Sequence, residues 1–262
     1  MRIGIAGISG RMGRLLVEEV GRAGAVLAGG IGRPGGAMLP GVPLLPGVAL
    51  LPDIAALARS CDVVIDFTHA STVAPHGAAL AATGCGWVLG TSGIGRLEQP
   101  AVTAAAAHIA VLQAANFSFG VNLMLALAER MAAALPAELY DAEILEMHHR
   151  QKVDAPSGTA IALGAAVAAG RGVALEKVIE SGRHGDVGPR KTGEIGFAAL
   201  RGGQVVGEHT LLFAGASEHL SLTHRAFDRR VYAAGAVQAA LWLAQRPAGL
   251  YSMRHVLGLG ER

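Results

Sequence analysis

Apolar residues in the first part of the chain come in short unbroken runs, separated by segments with helical spacing. Residues 1–7 read as a buried strand, and residues 12–23 as an amphipathic helix with Leu15, Leu16 and Val20 on one side. A strand at 25–31, a helix at 53–59, a strand at 61–67 that closes on Asp66, a helix at 72–83 and a strand at 86–90 follow. A helix at 100–108 and a strand at 109–114 continue the alternation. Strands that are apolar along their whole length and alternate with helices predict an α/β fold, a doubly wound parallel sheet of the Rossmann type.

The rhythm changes after a helix at 121–134. A strand at 142–149 precedes a long polar loop and an Ala-rich helix at 159–169. Strands at 195–200, 205–213 and 219–224, divided by Gly202-Gly203 and Gly215, predict a small mixed or antiparallel sheet. A final helix at 230–245 is expected to return to the first domain. The expected organisation is a dinucleotide-binding domain at 1–118 and 229–262 and a smaller α+β domain at 119–228 for substrate binding and oligomerisation. The proline-rich tandem Leu39–Leu44 and Leu45–Leu50 forbids a helix and reads as a local loop duplication.

Composition narrows the functional classes. With 52% apolar and 16% charged residues among 262, the chain has material for a large core, which excludes disorder. A net charge of +2 lacks the basic excess of a nucleic-acid binder. Mean hydropathy is high at +0.42, and residues 99–128 carry His108 but no acidic or basic side chain. Gln113, Asn116, Ser118 and Asn122 interrupt that stretch, so no membrane span is expected. Residues 1–7 lack a cleavable signal pattern, and no transit segment precedes Met1. Cys61 and Cys85 lack CxxC spacing, which argues against zinc and a disulfide framework and fits a reducing, cytoplasmic setting.

Gly7-Ile8-Ser9-Gly10-Arg11-Met12-Gly13 lies between a predicted strand and helix. Glycines there let the backbone approach a pyrophosphate, whose charge the helix N-terminus receives, and Arg11 adds a cation. A carboxylate usually ends the next strand and holds the adenosine ribose. Here that place reads Gly30-Ile31-Gly32-Arg33, so Arg33 is expected to stack on adenine or meet a 2'-phosphate, pointing to NADPH or to dual use of NADPH and NADH.

The segment from Glu146 to Thr159, Glu-Met-His-His-Arg-Gln-Lys-Val-Asp-Ala-Pro-Ser-Gly-Thr, is the densest polar cluster. Strand periodicity puts Glu146 and His148 on one face and His149 on the other. No third and fourth ligand stands nearby, so no metal is expected. Arg150 and Lys152 add positive charge, and Ser157-Gly158-Thr159 opens a helix whose amides can grip a carboxylate. These residues imply a small carboxylated substrate reduced at a C=C or C=N bond, with His148 or Lys152 supplying the proton.

The blocks Gly7–Gly13, Asp66-Phe67-Thr68, Gly90-Thr91-Ser92-Gly93, Ala115-Asn116-Phe117-Ser118, His148–Thr159, Val206–Thr210 and Leu222-Thr223-His224 together resemble the dihydrodipicolinate reductase family over nearly the whole length. The resemblance implies a cytoplasmic homotetramer of the lysine and diaminopimelate pathway, reducing a cyclic imine dicarboxylate with NAD(P)H. It implies that His148 donates or accepts the proton, that Lys152 assists as general acid, and that His149 with Ser157, Gly158 and Thr159 holds carboxylates. It places Gly90–Gly93 and Ala115–Phe117 along the nicotinamide, and Phe67 and Thr68 on the cofactor's path. Gln151 stands where some members carry a basic residue, and Ser92 where threonine is often seen. A non-catalytic dinucleotide sensor and a dehydrogenase of another amino-acid intermediate share the same features.

Overall fold

A computed structural model describes residues 1–32 and 48–260. Arg33 and most of the proline-rich tandem lie outside the described residues. The first half runs β1 (Arg2–Ala6), α1 (Arg11–Arg22), β2 (Val26–Ile31), α2 (Ile54–Ser60), β3 (Val63–Asp66), α3 (Val73–Thr83), β4 (Gly86–Leu89), α4 (Gln99–Ala106), β5 (Ala110–Gln113) and α5 (Phe119–Ala134). The second half runs β6 (Asp141–His148), α6 (Gly158–Gly170), β7 (Ile179–Glu180), β8 (Ile195–Arg201), β9 (Gly207–Ala214), β10 (His219–Ala226), α7 (Arg230–Leu243), β11 (Gly249–Tyr251) and α8 (Met253–Val256).

Two compact units result, one of Met1–Phe119 with Arg230–Arg262 and the other of Gly120–Arg229. The first holds a parallel sheet of order β11-β5-β4-β3-β1-β2. Strand direction of travel reverses at β1, so the turn after β1 sits at the switch point where such sheets bind ligands. Both faces are covered, which explains the fully apolar strands. Val63 and Ile65 pack with Leu16, Val20, Ala236 and Val237 of α1 and α7, whereas Val64 between them packs with Leu57, Leu80 and Val102 of α2, α3 and α4. The sixth strand, β11, has three residues and was not expected from periodicity.

The stretch 99–128, weighed above as a span, folds as α4, β5 and the first turns of α5. Among the described residues no helix is long and apolar enough to cross a membrane.

The second unit is a mixed sheet of order β10-β9-β6-β8-β7, with β6 antiparallel to β9 and parallel to β8. Met124 and Ala128 of α5 and Leu163 and Val167 of α6 cover one face, over Ala142, Ile144, Ile195, Leu211 and Phe213. The other face carries Leu145 and Leu200, both well exposed. The strand expected at 142–149 ends one residue earlier, at His148, so His149 belongs to the loop rather than to the opposite face of the strand.

Candidate functional site

The glycine turn is set by two close approaches. Gly7 has φ +85°, and its amide and that of Ile8 both donate to Ile31 O, at 2.9 and 3.1 Å, which ties the turn to the end of β2. A Cβ on Gly13 would lie 2.3 Å from Gly7 O and 2.5 Å from Ile8 O, so only glycine lets α1 start this close to the turn. Gly10 is the N-cap and supplies no side chain to the first-turn amides of Arg11, Met12 and Gly13, which have no intrahelical acceptor. Arg11 is exposed and Met12 half-buried beside them. This cradle suits a pyrophosphate.

The ends of β3 and β4 hold the next group. Asp66 is fully buried, and its carboxylate accepts from the Thr68 hydroxyl at 2.5 Å, the Thr91 hydroxyl at 3.4 Å, and Trp87 Nε1 at 3.3 Å. His76 Nδ1 lies 2.7 Å from its second oxygen. Thr68 and Thr91 therefore turn their hydroxyls inward, and the Thr68 amide is engaged there too, donating to Asp66 Oδ1 at 3.1 Å and Thr91 Oγ1 at 3.2 Å. Phe67 and Phe117 pack with ring centroids 5.4 Å apart, and Gly90 lies against both rings. Phe117 is a core residue, while Ser92 and Ala115 are exposed and Asn116 closes a local turn by accepting from the Ser118 amide at 2.8 Å. His76 and Trp87 were not among the expected site residues.

In the other unit, strand register assembles the polar cluster. Pairing sets Glu146 opposite His209 of β9 and His148 opposite Arg201 of β8. Glu146 is 1% exposed and is held from three sides: His148 Nδ1 at 2.6 Å, Arg201 through both terminal nitrogens at 2.8 Å, and the Ser157 amide at 3.1 Å. Burial pushes its carboxyl upward, but the Arg201 and His148 hydrogen bonds outweigh that and hold it below the usual range. Burial lowers His148, and Glu146 only partly restores it against the positive charges of Lys152 and Arg201.

The loop after β6 is pinned to the same group. Arg201 also donates to Asp154 O at 2.7 Å, and Lys152 Nζ reaches both Asp154 carboxylate oxygens at 2.8 Å. Ser157 caps α6, its hydroxyl accepting from the Ala160 amide at 3.2 Å and pairing with His209 Nε2 at 3.0 Å. Its polar groups are thus committed within the protein and set the helix start, which Gly158 and Thr159 follow. Burial and the neighbouring His148 push His209 down to about 4. His149 keeps Nδ1 buried without a hydrogen-bond partner, with Nε2 3.4 Å from Arg229. The Arg229 guanidinium beside Nε2, with the Lys152 amide donating to His149 O at 3.1 Å, sets the ring within the positively charged loop. Among the described residues no group of three or more His, Cys, Asp or Glu could hold a metal ion.

Glu146, Arg201, His209, Asp154 and Arg229 were absent from the expected site residues. Glu146 was legible as the strand-face partner of His148, but Arg201 and His209 reach it only through pairing with distant strands.

Two family models cover the chain. The model described as dihydrodipicolinate reductase, N-terminus, matches residues 1–117, and that for the C-terminus matches residues 120–257. The chain belongs to the dihydrodipicolinate reductase family. It is 63% identical over 259 residues to the 4-hydroxy-tetrahydrodipicolinate reductase of Granulibacter bethesdensis, covering 99% of this chain and 97% of that protein. The enzyme of the same name from Acidiphilium cryptum is 60% identical, covering 99% of this chain and 98% of the relative. Among solved structures, dipicolinate-bound dihydrodipicolinate reductase from Paenisporosarcina sp. TG-14 superposes with a TM-score of 0.78 at 25% identity, covering 96% of this chain and 97% of that one. Members of this family are NAD(P)H-dependent reductases, and the glycine turn lies within the segment matched by the N-terminal model.

Proposed function

We propose that this chain reduces cyclic 4-hydroxy-tetrahydrodipicolinate, or its dehydrated form, to tetrahydrodipicolinate in lysine and diaminopimelate synthesis. The observation that carries the reading is the Glu146–His148 pair at 2.6 Å, set beside Arg201, Lys152 and the start of α6.

Residues 1–118 and 229–262 form the dinucleotide-binding domain in this reading, and residues 119–228 the substrate-binding and oligomerisation domain. The first-turn amides of α1 with Gly7, Gly10, Arg11, Met12 and Gly13 hold the pyrophosphate. Phe67, Thr68, Gly90, Thr91, Ser92, Ala115, Asn116 and Phe117 form the wall along the nicotinamide. When bound, the nicotinamide supplies the hydride. No carboxylate ends β2, where Gly30-Ile31-Gly32 leads to Arg33, so the reading favours NADPH over NADH.

Hydride addition leaves an electron pair on the substrate, which must be protonated. His148 is arranged to do this at Nε2, because Nδ1 is engaged with the Glu146 carboxylate and fixes the ring. Lys152, tethered by Asp154, supplies positive charge and assists as general acid. His149 with Ser157, Gly158 and Thr159 holds substrate carboxylates, Ser157 by anchoring the helix start. A dianionic substrate raises the affinity of His148 for a proton, opposing the burial that depresses it in the free protein. The donor is thus loaded as substrate arrives.

The uncovered sheet face, with Leu145 and Leu200 exposed and Met147 and Leu212 half-buried, supports assembly with further copies of this chain into a homotetramer. Light scattering that gives the mass of one copy contradicts that part. The setting expected for such an enzyme is the cytoplasm.

The test of the activity is the loss of nicotinamide absorbance on adding the cyclic substrate, and its inhibition by dipicolinate, a planar pyridine dicarboxylate. A pure dinucleotide sensor shows neither, and a dehydrogenase of an open-chain intermediate shows no inhibition.

A further inference from the structure

Cys61 and Cys85 are separated by 24 positions, yet the start of β3 beside β4 brings their Sγ atoms to 3.8 Å. They are the chain's two cysteines, and both are free thiols. The backbone around them is tied down, with the Gly86 amide donating to Asp62 O at 3.0 Å and the Cys85 amide to Leu80 O at 3.2 Å. Their environments differ. Cys61 is partly exposed and lines a surface hollow of about 370 Å³ with Arg2, Arg59, Ser60 and Asp62. Cys85 is 3% exposed and lies behind it.

We propose that Cys61 and Cys85 form a hydroperoxide-sensitive thiol pair, in which Cys61 is oxidised from the hollow and Cys85 resolves it as an intramolecular disulfide. The Cys61 thiolate attacks one peroxide oxygen, the O–O bond breaks, and hydroxide (or an alkoxide) leaves with Cys61 as a sulfenic acid. The Cys85 sulfur then attacks the Cys61 sulfur, an S–S bond forms, and the sulfenic oxygen departs as water with the Cys85 proton. Two thiols are oxidised and one peroxide is reduced, so the step needs no further reagent.

The geometry favours both steps. Arg2 at the hollow favours a thiolate at Cys61, against the Asp62 carboxylate beside it. A hydrogen bond from the Cys85 thiol lowers Cys61 against the effect of burial, while the same contact and burial raise Cys85. A disulfide needs sulfur atoms about 2.05 Å apart, and the remaining gap of roughly 1.8 Å is within reach of side-chain rotation. The pair lies at the N-terminal ends of β3 and β4, whereas Phe67 and Gly90 follow their C-terminal ends. Oxidation is therefore expected to protect both thiols while leaving cofactor binding unchanged.

The test is peptide mapping of the full-length protein, treated folded with hydrogen peroxide and then alkylated under denaturing conditions. Trypsin leaves both cysteines in one peptide, Ser60–Arg96, because no Lys or Arg lies between Arg59 and Arg96. The expected product is that peptide lacking both thiol hydrogens, unalkylated, and restored by dithiothreitol. In Cys85→Ser protein, dimedone should capture a sulfenic acid at Cys61. Cys61 found as sulfinic acid with Cys85 still alkylated, or a disulfide that joins two chains, overturns the proposal, as does faster capture at Cys85 in Cys61→Ser than at Cys61 in Cys85→Ser.

Discussion

Glu146 Oε2 lies 2.6 Å from His148 Nδ1, on adjacent inward-facing positions of one strand. This contact does two things: it fixes the imidazole so that Nε2 is the exchanging nitrogen, and it raises a proton affinity that burial lowers. Glu146→Gln keeps the shape and removes the charge. Activity that depends on protonated His148 declines as pH rises through its pKa, so the variant's alkaline limb moves to lower pH. A kcat lower than wild type with that displacement is expected, and a pH–rate profile that overlays wild type contradicts the assignment.

Acid stability offers an independent check. His209 titrates near 6.5 when unfolded and at about 4 when folded, so the unfolded chain binds more protons between these values. Its contribution is complete above about pH 6.5 and is lost as pH falls through about 4, a difference on the order of 3 kcal/mol. His148 and His224 are also lowered by burial and act with the same sign. His209→Gln keeps a partner for Ser157 and should flatten, without abolishing, the fall in melting temperature from pH 6.5 to 4. An unchanged slope contradicts the burial argument.

Much of this was legible because it is local. The glycine turn and the segment from His148 to Thr159 are contiguous, and their strand and helix contexts follow from apolar spacing over the flanking ten residues. Arg201 and His209 were not legible, since nothing in a sequence states that β8 pairs parallel and β9 antiparallel to β6 in the register that brings them to Glu146. The same holds for His76 and Asp66, and for the two thiols. Strands of two and three residues, β7 and β11, are too short to show a period.

The cradle depends on the absence of a side chain at Gly13. Gly13→Ala sets a methyl group 2.3 Å from Gly7 O, which forces α1 away from the turn. A stability loss of about 1–3 kcal/mol is expected, with NADPH affinity reduced more than tenfold by fluorescence titration. Unaltered affinity means that the phosphates bind elsewhere.

Cofactor choice rests on position 33. If Arg33 meets a 2'-phosphate, Arg33→Ala should weaken NADPH by roughly 10- to 100-fold, the value of a charged hydrogen bond, and leave NADH nearly unchanged. Equal losses for both cofactors point to stacking on adenine, and tighter NADH than NADPH binding in the wild type contradicts the preference.

The most direct measurement follows nicotinamide absorbance with the cyclic imine dicarboxylate as substrate, comparing wild type with His148→Gln. If His148 is the proton donor, the wild type shows substrate-dependent oxidation, and the variant has a kcat lower by roughly 10²–10⁴-fold with cofactor affinity retained. Wild-type oxidation that is indifferent to the substrate, or a variant with unreduced kcat, would contradict it.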